Sequence, residues 1–486
     1  MTVQSALFRL RVWVWGEYKA TEKEERLLRK IDVGILTFAC ISYFVARLDN
    51  SNLANAYVSG MKEDLNMSTE AYSQMTSIYQ AGYSVGQVPC NLAILYFPPR
   101  YYMSFLLFML AVFSLSCAFV QNVQSVSALR FLVGFAESGM FCSVNYILGS
   151  WYGPNELARR AAIYTGSGFV GSIISGVIQD AINHSLNGTL GRPGWRWLFI
   201  IDAILTFPIA LLGVLTFPDT PTKTKAFYLN EEERELARTR LPPRDKVVWS
   251  RSAVIGAFKS WQLYVFTIFF TNFGLMETFN FNSLAPLWFK SYPESFSLSN
   301  ANQYPNGVYA VAIVAVAIMS AVSDNTRNRW APSVVIGLAC IVFSIIFLIY
   351  PEDNKPALMA AIYVHGIVFA GQSINYTWAN EATKFNPILR TITLAVMNLA
   401  AYIFLIWYGI VVVNSAYAPR FYKCAVGTLV LSILSFFFLP LIMYLTKRDP
   451  NLQEDGAQSD SELDTEKDAE KDSKGSETNV TVHPVL

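Results

Sequence analysis

The sequence predicts an all-α membrane protein that crosses the bilayer twelve times, six spans on each side of a long polar interruption. Three observations carry this. Of 486 residues, 53% are hydrophobic and only 15% charged, too few charges to coat a soluble protein of this size. Apolar runs of about 18 or more residues recur along the chain, each long enough for a helix to cross hydrocarbon. Finally, the stretch PDTPTKTKAFYLNEEERELARTRLPPRDKVVWSRS, residues 218–252, divides the series in its middle.

The first span, about 31–57, opens apolar with IDVGILTFACISYFVA. It then meets Arg47, Asp49, Asn50, Asn52 and Asn55 before it is long enough to cross. A charge in hydrocarbon costs roughly 2.5–3.5 kcal/mol on insertion scales. The helix therefore either ends at Ala46 or turns its polar residues away from lipid. As a helix, Arg47, Asn50, Ser51 and Ala54 follow the i, i+3, i+4, i+7 spacing and share a face. Asp49 lies about 200° around from Arg47 at ~100° per residue, so the two cannot neutralise each other within the helix. Arg47 needs another partner: a substrate anion, a carboxylate on another helix, or water in a cavity. A structural ion pair or snorkelling is the plainer reading.

The next spans follow at about 71–95, with Gln80 and Gln87, and about 100–121. The fourth, about 124–149, has Arg130 near its start and Glu137 near mid-depth, with Arg130, Gly134, Glu137, Phe141 and Asn145 on one side. A carboxyl out of water takes up a proton more readily. Glu137 is therefore a candidate proton carrier, and a Glu137–arginine ion pair that braces the helices is the alternative. Spans five and six fall at about 160–183 and 195–217. The seventh, about 259–289, carries Glu277, Asn280 and Asn282. After the eighth and ninth, about 305–323 and 331–350, the tenth, about 357–378, carries His365, Gln372 and Asn375, with Asn380 just beyond. The last two lie at about 389–413 and 420–446. Each of these amides reads equally as an interhelical hydrogen bond, and His365 reads as structural.

Lysine and arginine set the orientation. The N-terminal segment holds Arg9, Arg11, Lys19, Lys23, Arg26, Arg29 and Lys30. The central loop holds Lys223, Lys225, Arg234, Arg238, Arg240, Arg244, Lys246 and Arg251. The opposite loops hold one or two each, such as Lys62, Lys290 and Lys355. By the positive-inside rule both termini are cytoplasmic. The sequons at Asn66, Asn183 and Asn187 then fall on or near the outer side, open to glycosylation. The expected organisation is a cytoplasmic N-terminal segment (1–30), six spans (31–218), a cytoplasmic central loop (219–257), six more spans (258–446) and a disordered acidic tail (447–486). The N-terminus shows no cleavable signal pattern, so the first helix is expected to serve as a signal anchor.

No G-x-x-x-x-G-K-[ST] loop and no metal cluster occurs in the sequence, and the six cysteines are scattered without a C-x-x-C pair. No cofactor, metal, disulfide framework or direct ATP coupling is expected. No nucleophile–base pair recurs on a cavity face, which argues against an enzyme.

Several motifs match one family. Residues 130–204, RFLVGFAESGMFCSVNYILGSWYGPNELARRAAIYTGSGFVGSIISGVIQDAINHSLNGTLGRPGWRWLFIIDAI, contain R-F-x-x-G-x-x-E. They also contain the turn at Trp151, Tyr152, Glu156 and Arg160, and the entry GWRWLFIID from Gly194 to Asp202. QVPCNLAILYFPPR supplies Pro89, Asn91 and Arg100, and SDNTRNR a second turn. From Ile31 to about Lys447 the chain resembles the fungal anion:cation symporter (allantoate permease-like) branch of the major facilitator superfamily. NAYVSGMKEDL and ESGMFCSVNYILGSWY look most like its vitamin-transporting members, the pantothenate transporters. Three departures stand out. The family's L-D-R-S-N reads Leu48-Asp49-Asn50-Ser51-Asn52 here, with the arginine at Arg47. Cys142 replaces a common proline. Glu277 stands in a helix where some anion carriers have arginine.

The resemblance implies two six-helix bundles around a central cavity lined by helices one, four, seven and ten, with alternating access driven by a proton gradient. It implies a plasma-membrane symporter for protons and a small carboxylate, pantothenate first, acting as a monomer without nucleic-acid partners. On this reading Arg47 attracts the carboxylate and Asn50, Gln87, Asn145, Asn282 and Asn375 contact the rest of the substrate. Glu137 carries the coupling proton, with Asp49 and Glu277 the next candidates. The alternatives are a carrier of another small acid (biotin, nicotinate, allantoate or a dipeptide), an exporter of a secondary-metabolite acid, and a nutrient sensor that does not transport.

Overall fold

A computed structural model describes residues 22–240, 250–326 and 328–450, with a few side chains inside helices, Asn145 among them, outside the description. The predicted tails therefore lie largely outside the described residues, as does part of the central loop. Every regular element among the described residues is a helix.

Twelve spans can be followed. Span 1 runs from Asp32 to Asp64, entered without a break from the amphipathic helix Glu22–Ile31. Spans 2 to 6 are Ala71–Tyr96, Pro99–Cys117, Val123–Trp151, Pro154–Ser185 and Gly194–Thr216. Span 7 is broken into Trp261–Met276, Thr278–Phe281 and Ala285–Lys290. Spans 8 and 9 are Asn306–Thr326 and Trp330–Ile349. Span 10 joins Lys355–His365 to Ala370–Ala382 through a 3-10 turn, Gly366–Phe369. Spans 11 and 12 are Pro387–Val411 and Tyr422–Arg448.

Among the described residues, nine helices are long and apolar enough to cross a membrane by length and composition. Spans 2, 5 and 7 are not among them. Span 7 is interrupted, and spans 2 and 5 bury polar residues such as Gln80, Gln87, Ser172, Ser175 and Gln179. These are helices whose polar groups face protein rather than lipid.

The packing shows a repeat that the sequence does not. In the first half span 1 packs along span 5, span 2 along span 4, and span 3 along span 6. In the second half the same pairings recur six spans later: 7 with 11, 8 with 10, and 9 with 12. The halves meet where span 2 packs on span 11 and span 5 on span 8. This is the architecture of two six-helix bundles. Glycine sets the closest approach: a Cβ at Gly82 would lie 2.1 Å from the Phe131 carbonyl, and one at Gly134 would lie 2.1 Å from that of Tyr79. Spans 2 and 4 thus touch backbone to backbone, which only residues without a side chain allow.

Both ends of the twelve-span chain emerge at one face. At the opposite, far face the bundles are bridged. Asn302 donates to Ser59 at 3.2 Å. Ser415 binds Ser73 and Thr69 through its backbone N–H and its hydroxyl. Gln303 donates to Asp180, and Lys290 pairs with Glu63 at 2.8 Å. Gly176 lets span 5 approach the Asn302 carbonyl, which a Cβ would meet at 2.4 Å.

Candidate functional site

Span 1 stays helical through its polar segment, so of the two alternatives the early end at Ala46 is not taken. Its polar residues are absorbed by neighbours instead. Asn55 donates to Ser175 at 2.8 Å, and Ser175 donates to Asn52 at 2.7 Å, tying span 1 to span 5.

Asp49 and Arg130 form a buried ion pair at 3.2 Å, and Arg130 also donates to the Asp49 carbonyl. The two side chains are 1% and 2% exposed, so the pair is removed from both water and lipid. Arg130 therefore pairs with Asp49 and not with Glu137. Glu137 accepts from the Tyr79 hydroxyl at 2.6 Å, and its other oxygen has no hydrogen-bond partner among the described residues.

Arg47 stands apart from these. Its stem lies against Gly168 of span 5, where a Cβ would meet the Arg47 Cγ at 2.8 Å. Its guanidinium sits 5.6 Å from the ring centroid of Phe281 in span 7, a cation–π contact across the two bundles. Tyr43, Tyr79, Tyr309 and Tyr402 surround it within electrostatic reach. So do Glu137 from the first bundle and Glu277 from the second. Among the described residues no carboxylate lies within ion-pair distance of Arg47. A half-buried guanidinium between two bundles, with tyrosines but no paired acid among the described residues, has the chemistry to pair with an anion.

The face shared by Arg47, Asn50, Ser51 and Ala54 divides one turn farther out, because successive residues point ~100° apart. Asn50 turns into a small cavity with Tyr79, Gln80, Arg130 and Asn282. Ser51, Ala54 and Asn55 line a second cavity with Ser172 of span 5, Asn280 and Ser283 of span 7, and Tyr309 of span 8.

The breaks in span 7 bring its polar groups inward. Helical geometry lapses at Glu277 and again at Asn282–Leu284, where Ser283 has φ +51°. A break frees backbone groups, which are tolerated at membrane depth only where protein or a cavity satisfies them. Here the Tyr72 hydroxyl donates to the Asn282 carbonyl at 2.6 Å, and the Gln80 amide to the Asn282 side chain at 2.9 Å. Glu277 accepts from Gln372 of span 10. His365 is fully buried, set between the Met276 carbonyl and Asn280.

The structure thus gathers Arg47, Asn50, Asn282, Glu137 and Glu277 around the meeting of the bundles, with the Asp49–Arg130 pair beside them. It does not gather all the expected residues. Asn375 is fully buried on span 10 with both amide atoms unpartnered, and Gln87 is buried on span 2; neither lines either cavity. The Asn145 side chain lies outside the described residues. Of the sequons, Asn66 and Asn187 are exposed, whereas Asn183 is partly buried and donates to Ser59 at 3.3 Å.

Sequence reasoning missed Tyr79 and Asp202. Asp202 is a buried acid on span 6 that accepts from Ser114 at 2.6 Å and lies beside Asp49 and Arg130. Its signal was present, since any acid inside an apolar run marks a polar interior. Tyr79 is legible only as a hydroxyl on the Gln80 side of span 2.

A family model described as the Major Facilitator Superfamily matches residues 39–406. The pantothenate transporter liz1 of Schizosaccharomyces pombe is 34% identical over 441 residues, covering 90% of this chain and 85% of that one. The pantothenate transporter FEN2 of Saccharomyces cerevisiae is 36% identical over 431 residues, covering 86% and 83%. The vitamin H transporter of the same yeast is 26% identical, covering 88% and 74%. Among solved structures, a bacterial homolog of the human lysosomal transporter Spinster, inward-facing and unoccupied, superposes with a TM-score of 0.65 at 16% identity, covering 84% of this chain and 96% of that one.

Proposed function

The chain belongs to the Major Facilitator Superfamily, a multi-pass membrane transporter for small molecules, and from that premise we propose that it is a proton-coupled symporter importing a small carboxylate, pantothenate first among them. The observation that carries this is Arg47, a guanidinium between the bundles without an acid of its own. Two pantothenate transporters among the relatives support the choice of acid. Asn50 and Asn282 contact the rest of the substrate. Glu137, held by Tyr79 and open on its other oxygen, carries the proton. The face bearing the termini is cytoplasmic, the protein sits in the plasma membrane as a monomer, and its two six-span units are residues 31–218 and 258–446. Asn66 and Asn187 are the exposed sequons open to glycosylation.

The test is uptake of labelled acids in a yeast strain lacking its own vitamin and allantoate carriers. Pantothenate should enter, fastest at acidic external pH. Glu137→Gln should exchange substrate but no longer concentrate it. Uptake of no acid at all would overturn the reading. Uptake of biotin in place of pantothenate would keep symport and change the substrate, in keeping with the vitamin H transporter among the relatives.

A further inference from the structure

We propose that the cavity between span 1 and spans 5, 7 and 8 is a hydroxyl-binding subsite for the end of the substrate remote from its carboxylate. The proposal rests on the carboxylate reading of Arg47 and adds a second anchor in series with it. Two buried polar side chains line this cavity with an atom that has no hydrogen-bond partner among the described residues: the Ser172 hydroxyl and the Asn280 Oδ1. They are 2% and 3% exposed. A buried polar atom left unpaired is costly, so two lining one cavity point to a group that fills the place.

The orientation of Asn280 follows from a chain of contacts. The His365 Nε2 lies 3.1 Å from the Met276 carbonyl, which can only accept, so Nε2 bears the hydrogen in the neutral ring. Nδ1 is then an acceptor, and at 2.9 Å it takes the Asn280 amide N–H. The Asn280 Oδ1 is left pointing away from the histidine as a free acceptor. Ser172 supplies a hydroxyl that donates or accepts. An acceptor and a hydroxyl with no charge between them match a neutral hydroxyl, which gives one hydrogen and takes one.

The rest of the wall is already satisfied: Ser283 and Tyr309 bond each other at 3.1 Å, and Asn55 is tied to Ser175. The space is water-sized in this conformation, enough for one hydroxyl group. Ser51 and Asn55 lie about 6 and 12 Å along span 1 from Arg47 at ~1.5 Å per residue. A flexible acid with a hydroxyl on the order of 10 Å from its carboxylate reaches both anchors along that rise. Pantothenate is such an acid.

The test compares pantothenate with N-(3,3-dimethylbutanoyl)-β-alanine, which keeps the carboxylate, the amide and the full carbon skeleton but lacks both hydroxyls. Ser172→Ala is the sharper variant, because Asn280 also holds His365. Competition for uptake is measured in cells with matched surface expression. Ser172→Ala should weaken pantothenate about two- to tenfold, the usual worth of one hydrogen bond, and leave N-(3,3-dimethylbutanoyl)-β-alanine unchanged. Asn280→Ala should discriminate in the same direction. Equal losses for both ligands, as a resident water would give, overturn the subsite, and so does unchanged pantothenate affinity. If neither acid competes in the unmutated protein, the choice of pantothenate fails and the subsite falls with it, an outcome distinct from lost discrimination.

Discussion

The centres of the two bundles are made of different chemistry. The first concentrates charge: Arg47, Asp49, Arg130, Glu137 and Asp202 lie on spans 1, 4 and 6, all inside regular helix. The second offers amides and interruptions: Asn280 and Asn282 at the breaks of span 7, with His365 and Gln372 flanking or following the 3-10 turn of span 10. Its one central acid, Glu277, is tied to an amide. Regular helices hold ionic groups rigidly, whereas broken helices expose backbone and short polar side chains to a ligand. The difference is a division of chemistry: ionic groups gather in the first bundle, and amides at helix breaks in the second, while the proposed hydroxyl subsite draws on both through Ser172 and Asn280.

The largest expected effect is on the first bundle's ion pair. Asp49→Asn leaves Arg130 charged and buried without its partner, which should destabilise the fold by about 3–5 kcal/mol. Thermal melting of detergent-purified protein reads this, and Arg130→Leu in the same chain should recover part of the loss. A melting temperature unmoved by Asp49→Asn would show that the charge of the first bundle is not what holds it.

Next is Arg47. Arg47→Ala should raise the KM for acids by an amount equivalent to about 2–5 kcal/mol, if a charge-assisted pair with the substrate is broken. Arg47→Lys should cost less, since it keeps the charge and loses the planar fork. Amide or ester analogues of the substrate should not distinguish the variants. Normal acid affinity in Arg47→Ala, at unchanged surface level, would remove the anion site from the first bundle.

Glu277 sharpens the division more than any other residue. If coupling resides in the first bundle, Glu277→Gln should still concentrate substrate against a gradient, with KM shifted by at most about tenfold for a lost hydrogen bond. Accumulation assays with and without a protonophore decide it. Loss of accumulation would place the coupling proton in the second bundle and break the comparison.

The smallest effect is expected at Asn282, whose side chain is shared with Gln80 across the interface. Asn282→Ala should raise KM by a factor corresponding to about 0.5–1.5 kcal/mol, with the pH dependence of uptake unaltered. A changed pH profile would mean that this amide takes part in the proton's path.

Much of this was legible in the sequence, for physical reasons that also mark its limits. The ends of spans 2, 4 and 9 fall within two residues of the expected boundaries, because apolar runs and their flanking turns are local signals. The separation of Arg47 from Asp49 follows from the helix period alone. That Asp49 would find Arg130, 81 residues away, does not, since partner choice between helices depends on how they pack. The breaks of span 7 were hidden because Glu277, Asn280 and Asn282 look the same on an intact helix. Asn375 and Gln87 carry the right chemistry but sit away from the cavities. The internal repeat is invisible in the residues because it lives in which spans touch, and many different side chains satisfy the same contact.

The bridge between the bundles at the far face has a consequence for the medium in which the protein works. It is made mostly of neutral partners: Asn302 with Ser59, Ser415 with Ser73 and Thr69, and a glycine against a carbonyl. Gln303 adds a bond to the Asp180 carboxylate, and among the described residues of the bridge Lys290–Glu63 is the pair of opposite charges, partly exposed. Salt at 0.1 M largely screens exposed charges more than about 10 Å apart and weakens exposed pairs, but leaves neutral hydrogen bonds almost untouched. The ease with which this face parts should therefore vary little between dilute and saline surroundings.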